Sequence, residues 1–339
     1  MASKKKMLGV LLHLGQNMWD EEPLERAKLT PYLISRMCKD YLRCDEKVWR
    51  KITDRMAARH YNLALIDLGE GMVFPSHPEL AVKGSWTPEK MQAEIRRLAE
   101  QGIEAVPKLN FATTHDTWLG EYHRMVSTPE YYQVVKDVVK DVMEVFGRPR
   151  LFHLGLDEET IGAQRRCGYK CVRQGDLLWH DYNFYFDTVR AYGSRPWMFG
   201  DAAHYQPERF YSEMPKDVLQ SKAHYGHNFV VGKQKDKEHE ASLASFAKVA
   251  AAGYEITGTS SNWVLKDPKT FPYPKGRDYY RDREAIEAFT EFCTATIPDA
   301  QFAGMLLAPW GEINEDLEDY WLEAVDQQAD AFARRGIEV

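Results

Sequence analysis

Short apolar runs alternate with longer amphipathic stretches along the whole chain. The runs are MLGVLLHL (7–14), NLALIDLG (62–69), IEAVPKLN (103–110), LFHLGLD (151–157), PWMFGD (196–201), DVLQSKAH (217–224), YEITGTS (254–260) and FAGMLLAPW (302–310). Each has the length of a strand, and continuous runs such as LALI and MLLA suit strands covered on both faces, as in a parallel sheet. The segments between them read as helices. TPEKMQAEIRRLAEQG offers Thr87 as N-cap, Pro88 as first helical residue and Gly102 as the stop, with Met91, Ile95, Leu98 and Ala99 on one face. Thr128 to Gly147 repeats that design, and residues 239–253 and 282–296 supply two more helices. Eight strands with intervening helices predict a single α/β domain over residues 1–339, a (β/α)8 TIM barrel. A loop insertion at about 16–44 is too long for an ordinary connection and either caps the barrel mouth or forms a dimer contact. The competing architecture, a doubly wound open sheet, would want a GxGxxG phosphate loop after an early strand, and none occurs.

Composition narrows the partners. With 339 residues, 44% of them hydrophobic, one large core is within reach. A formal net charge of -7 argues against nucleic acid, whose phosphates require clustered Lys and Arg. No apolar run has the length of a bilayer span, so no membrane partner is expected. The basic run Ser3 to Lys6 precedes an apolar stretch, but no small-residue cleavage pattern follows, and the stretch reads as the first core strand. Five cysteines are too few for a disulfide scaffold, and the spacings of Cys38, Cys44, Cys167 and Cys171 do not match the common CxxC knuckle. No metal and no cofactor is therefore expected. The cysteine count favours a reducing, cytoplasmic compartment, whereas a native leader removed ahead of residue 1 would place the protein in the periplasm or outside the cell.

In this architecture chemistry sits at the carboxyl ends of the strands. Those ends carry His13, Asp67, Glu70, Asn110, His115, Asp116, Asp157, Glu158, Asp201, His204, His224, Trp263, Trp310 and Glu312. Strand four ends in three consecutive acids, Asp157, Glu158 and Glu159. Strand four, read through Asp157, delivers these acids to the barrel mouth, and alternation sends one of the first two toward the axis and the other round from the loop. Carboxylates crowded in a partly dry mouth raise the pKa of one member, giving a proton donor beside a charge stabiliser. Glu158 and Glu159 would also suit the start of a helix, where acids oppose the dipole, and this reading fits Glu159 best.

These residues resemble the β-N-acetylhexosaminidase type of glycoside hydrolase, family twenty. Its fourth strand reads His-x-Gly-Gly-Asp-Glu, matched here by His153-Leu154-Gly155-Leu156-Asp157-Glu158. GIEAVPKLNFATTH (102–115) stands in place of the family's strand-three segment, and Trp310-Gly311-Glu312 in place of its Trp-x-Glu on strand eight. The resemblance implies a retaining, substrate-assisted mechanism in which the sugar's acetamido oxygen attacks the anomeric carbon. Asp157 would then orient the acetamido group and Glu158 protonate the departing oxygen, with His115 and His153 in support. Trp310 offers a flat wall and Glu312 an acceptor for sugar hydroxyls. Asn110, Trp118, Asp201 and Trp263 complete the candidate substrate-binding set, and Trp197 is a further wall candidate. The chain departs from the family at Leu156, Lys108 and Asn110, in strand one, where HLGQN holds no sugar-clamping Arg, and near strand seven, where TSSNW replaces a Tyr-x-Asp pair. Two other functions fit the same strand ends. One is a metal-dependent sugar isomerase or hydrolase using Asp116, Glu158, Asp201, His204, His224 and Glu312. The other is a carbohydrate-binding barrel without catalysis.

Overall fold

The computed structural model describes residues 5–19, 37–166, 171–225, 228–262 and 284–339. Eight parallel strands close on themselves in sequence order. They are β1 (Met7–His13), β2 (Leu63–Asp67), β3 (Glu104–Lys108), β4 (Leu151–His153), β5 (Arg195–Phe199), β6 (Leu219–Ala223), β7 (Ile256–Ser260) and β8 (Phe302–Leu307). The eight apolar runs of the sequence each yield one strand. Outside them lie α1 (Glu46–Ala58), α2 (Pro88–Glu100), α3 (Pro129–Val145), α4 (Gly175–Arg190), α5 (Pro207–Glu213), α6 (Lys237–Ala251), α7 (Ala285–Thr296) and α8 (Glu318–Arg334). The α/β barrel is thus the observed fold. No described helix is long and apolar enough to cross a membrane.

Local chemistry sets the helix ends where the sequence placed them. The Thr87 and Thr128 side chains accept hydrogen bonds from Lys90 N and Tyr131 N, with proline at the first helical position of α2 and α3. Gly102 and Gly147 follow those helices at φ +78° and +68°, in the left-handed region that favours glycine. α6 starts at Lys237, two residues before the apolar pattern, because Asp236 caps it by accepting from His239 N.

Two apolar layers result. One fills the space between strands and helices, and the other, including Leu11, Leu65, Val106, Leu151, Trp197 and Leu306, fills the barrel interior. Strand register then aligns one polar row near the carboxyl ends: His13 opposite Asp67, Asp67 opposite Lys108, and Lys108 opposite His153. That row underlies the mouth.

Candidate active site

The segment LFHLGLD is a strand only as far as His153. Leu154 and Leu156 are buried, which prolongs the apolar pattern, but Gly155 and Leu156 turn to φ +69° and +66°, and Glu158 to φ +55°. The opposed placement expected from strand alternation is therefore not realised. Asp157 and Glu158 lie on an irregular tip and line the same cavity. Left-handed backbone is rare for residues with a Cβ and requires support from its surroundings. Here His153 Nδ1 accepts a hydrogen bond from Gly155 N (3.0 Å), and Gly155 O accepts one from Phe199 N (2.9 Å). Burial, reinforced by the Lys108 ammonium, pushes the His153 pKa well below its usual value. The ring is thus neutral, and its Nδ1 is the acceptor. Gly155 is required by space as well, since a Cβ there would lie 2.0 Å from Asn110 Oδ1.

Strand three supplies the hold on Asp157. Asn110 Nδ2 donates to Asp157 Oδ1 (2.8 Å), while Asn110 Oδ1 accepts from Ala112 N (3.0 Å) and Leu156 N (3.2 Å). Asn110 is nearly buried, and its amide is committed to orienting the acid. His115 Nδ1 lies 3.9 Å from Asp157 Oδ2 and 2.8 Å from Thr114 Oγ1. From the end of β5, Asp201 Oδ2 accepts from Glu158 N (3.2 Å).

The cavity above these groups has a volume of about 290 Å³. Asp157, Glu158, Phe199, Asp201 and Trp310 line it together with His204, Tyr205, His224, Glu238 and His239. Trp310, itself at φ +60°, stands against His13 and Phe199 with ring centroids 5.7 and 6.1 Å apart. Beneath lies the polar row. Lys108 Nζ is 2.5 Å, and His13 Nδ1 3.1 Å, from Asp67 Oδ2. Burial opposes the charge on Asp67, but the Lys108 ammonium and His13 outweigh it and hold its carboxyl well below the usual range.

Of the remaining candidates, His153 is a support beneath the acids rather than a surface of the cavity. Trp118 is buried, packed near Phe74 and Phe111, and its indole N–H donates to Asn110 O (2.8 Å). It braces strand three instead of facing a sugar. Trp197 lies inside the barrel with its indole N–H on Ser221 Oγ (2.7 Å). Glu312 does not line the cavity; it accepts from Asn314 Nδ2 (3.1 Å) and lies 3.6 Å from the Arg43 guanidinium. Arg43 comes from the insertion and donates to Asn17 Oδ1 (2.9 Å), so a guanidinium lacking in the strand-one segment reaches the end of strand eight from elsewhere. Trp263 lies outside the described residues. The scattered metal set divides: Glu158, Asp201, His204 and His224 share the cavity, but Asp116 is buried 3.9 Å from His123. Among the described residues no group of three His, Cys, Asp or Glu is placed to hold a metal ion.

Glu159 does stand beside a helix start, two residues ahead of Ile161–Arg166, yet its carboxylate is engaged elsewhere. It is buried in an ion pair with Arg173, and accepts from Thr113 N (2.9 Å), Thr113 Oγ1 (2.9 Å) and Gln164 Nε2 (2.9 Å). Arg173 also pairs with Asp181 (3.0 Å) on α4 and donates to Phe111 O (2.9 Å). Strands three and four are thereby clamped together behind the acids.

Within the acid cluster, Asp201 is the group with a raised pKa. Burial, with the charges of Asp157 and Glu158, lifts it from 3.8 to about 6 against the pull of Lys222 and of the Glu158 N–H. Between these values the folded state holds a proton that the unfolded state has released, so Asp201 favours folding at low pH and that contribution is lost as pH rises through about 6. Asp201→Asn is therefore expected to melt progressively higher, relative to the parent, as pH is raised from about 4.5 to neutrality. A melting difference that stays constant over that range would show that Asp201 titrates normally.

A closed eight-stranded barrel with acids at its carboxyl mouth defines the class of fold. Solved structures carry the comparison further. The chain aligns with a mutant Streptomyces plicatus β-hexosaminidase in complex with its product GlcNAc at TM-score 0.60 and 14% identity, covering 95% of this chain and 63% of that one. The family-twenty exo-β-N-acetylglucosaminidase of Vibrio harveyi, with N-acetylglucosamine, gives 0.61 and 13%, covering 98% and 57%. The β-N-acetylhexosaminidase of Bacteroides fragilis gives 0.61 and 14%, covering 95% and 66%. The chain thus has the barrel fold of these enzymes and spans somewhat under two thirds of their length. No family model and no curated protein matches the sequence.

Proposed function

We propose that the protein is a glycoside hydrolase that removes a terminal N-acetylhexosamine with retention of configuration. The observation that carries this reading is the joint presentation of Asp157 and Glu158 to one sugar-sized cavity walled by Trp310, with Asp157 fixed by Asn110. Glu158 gives its proton to the departing oxygen as the glycosidic bond breaks. The substrate's acetamido oxygen closes on the anomeric carbon from the opposite face, and Asp157 stabilises the positive charge that develops on the acetamido nitrogen. Water then attacks the anomeric carbon while Glu158 takes its proton, restoring the acid and the original anomer. The GlcNAc bound to the Streptomyces barrel agrees with a sugar of this class.

A panel of nitrophenyl glycosides tests the reading. N-acetylated β-glycosides are expected to be cleaved and to release the β anomer first, as read by proton NMR, whereas plain glucosides and galactosides, lacking the internal nucleophile, are spared. Equal cleavage of plain glycosides, release of the inverted anomer, or failure to cleave any member would each overturn it.

A further inference from the structure

Both backbone groups of Gly155 are held, the N–H by His153 Nδ1 (3.0 Å) and the carbonyl by Phe199 N (2.9 Å). One buried cation stands beside both partners. Lys108 is the Cα partner of His153 across β3 and β4, and its ammonium lies 6.0 Å from the centre of the Phe199 ring. We propose that Lys108 is a positioning residue: paired with Asp67, its ammonium keeps His153 an uncharged acceptor and so fixes the turn that carries Asp157 and Glu158. The proposal rests on the reading of those two acids as catalytic. Lys108 itself does not line the cavity and acts only through His153.

Geometry makes the charge on that ring decisive. Protonated, His153 would turn an Nδ1–H toward the Gly155 N–H, donor against donor, and the bond that holds the left-handed Gly155–Leu156 turn would be lost. Its Nε2 is buried with no hydrogen-bond partner among the described residues, so an imidazolium would gain nothing on that side either. Few charged groups surround it. β5 presents the uncharged rings of Trp197 and Phe199, with centroids 5.0 and 4.6 Å away, β3 presents Lys108, and Asp67 acts from β2; on its own tip Asp157 and Glu158 follow. Burial disfavours the imidazolium most, the ammonium adds to it, and the Asp67 carboxylate pulls the other way. Lys108 Nζ lies 2.5 Å from Asp67 Oδ2, with His13 Nδ1 3.1 Å from the same oxygen. Removing the cation therefore ends a repulsion at His153 and leaves a buried carboxylate uncompensated nearby. Both changes push the ring toward the imidazolium.

Lys108→Met tests the role through the pH dependence of kcat on a nitrophenyl N-acetyl-β-glycoside. An imidazole returned to its ordinary pKa of about 6.5 is roughly one-tenth neutral at about pH 5.5, so turnover relative to the parent should fall about ten-fold there and recover toward about pH 7.5. Lys108→Gln, which still donates to Asp67 but carries no charge, is the milder change and should behave alike. Melting curves report which variants fold. Adding Asp67→Asn should restore parental turnover at every pH, because burial alone then keeps the ring neutral. A loss independent of pH, or one that Asp67→Asn does not relieve, marks a merely structural lysine and overturns the proposal. Nitrogen NMR of histidine-labelled protein, with the His153 signals assigned by their absence from His153→Gln, reads the ring without turnover. The parent ring is expected to be neutral with its proton on Nε2 between about pH 5 and 8, and the ring in the Lys108 variants to be charged at the acid end. A parental imidazolium, or a variant ring that stays neutral, refutes the positioning role. The expected signals in a parent that cleaves nothing would sink the hydrolase reading alone and leave the hold on the two acids standing.

Discussion

Arg173→Met is expected to destabilise the protein by about 3–5 kcal/mol, the range for breaking a buried charge network by removing one partner. The guanidinium is fully buried between the carboxylates of Glu159 and Asp181, and it also donates to Tyr185 Oη (2.6 Å) and Phe111 O. Methionine replaces its volume but leaves two carboxylates without a cation in a dry interior. Urea unfolding at neutral pH measures the loss. Adding Glu159→Gln and Asp181→Asn should recover much of it, because orphaned charge rather than lost packing is the cause. A loss below about 1 kcal/mol would mean that the two acids find other partners. Glu159 follows Glu158 directly, so a loosened Arg173 is also expected to depress turnover.

Glu158→Gln carries the second large effect. Glutamine keeps the shape and a hydrogen bond to the bridging oxygen but holds no transferable proton, so hydrolysis of sugar–sugar linkages should fall roughly 10²–10⁴-fold, the span assigned to a general acid. Dinitrophenyl glycosides, whose leaving group departs unprotonated, should lose far less. Asp157→Asn is expected to slow both substrate types alike, since it acts on the developing charge and not on the leaving oxygen. The measurement is kcat/KM for each variant on each substrate. If Glu158→Gln slowed both substrates equally, the proton-donor assignment would fail.

Much of this was legible in the chain. Eight apolar runs declare eight strands because strands buried on both faces leave no polar alternation to confuse them. The same continuity hides the end of strand four at His153. Leu154 and Leu156 are as buried as strand residues, and hydrophobicity carries no sign of a left-handed turn. Adjacent acids were legible because they are neighbours in sequence, whereas the Asp67–Lys108 pair is assembled from separate strands by register alone. Glu238 and His239 enter the cavity from the first turn of α6, so the pattern of strand ends carries no sign of them. Trp118 and Trp310 both follow barrel strands, yet one braces Asn110 from the core and the other lines the cavity; spacing does not distinguish them.

The row of His13, Asp67, Lys108 and His153 is built into the staves of the barrel and not into its rim. An ammonium and a carboxylate locked there set a permanent electric field under the floor of the mouth. Any redesign that exchanged the rim loops to admit a different ligand would inherit that field unchanged, and new chemistry grafted onto this scaffold would have to work with it.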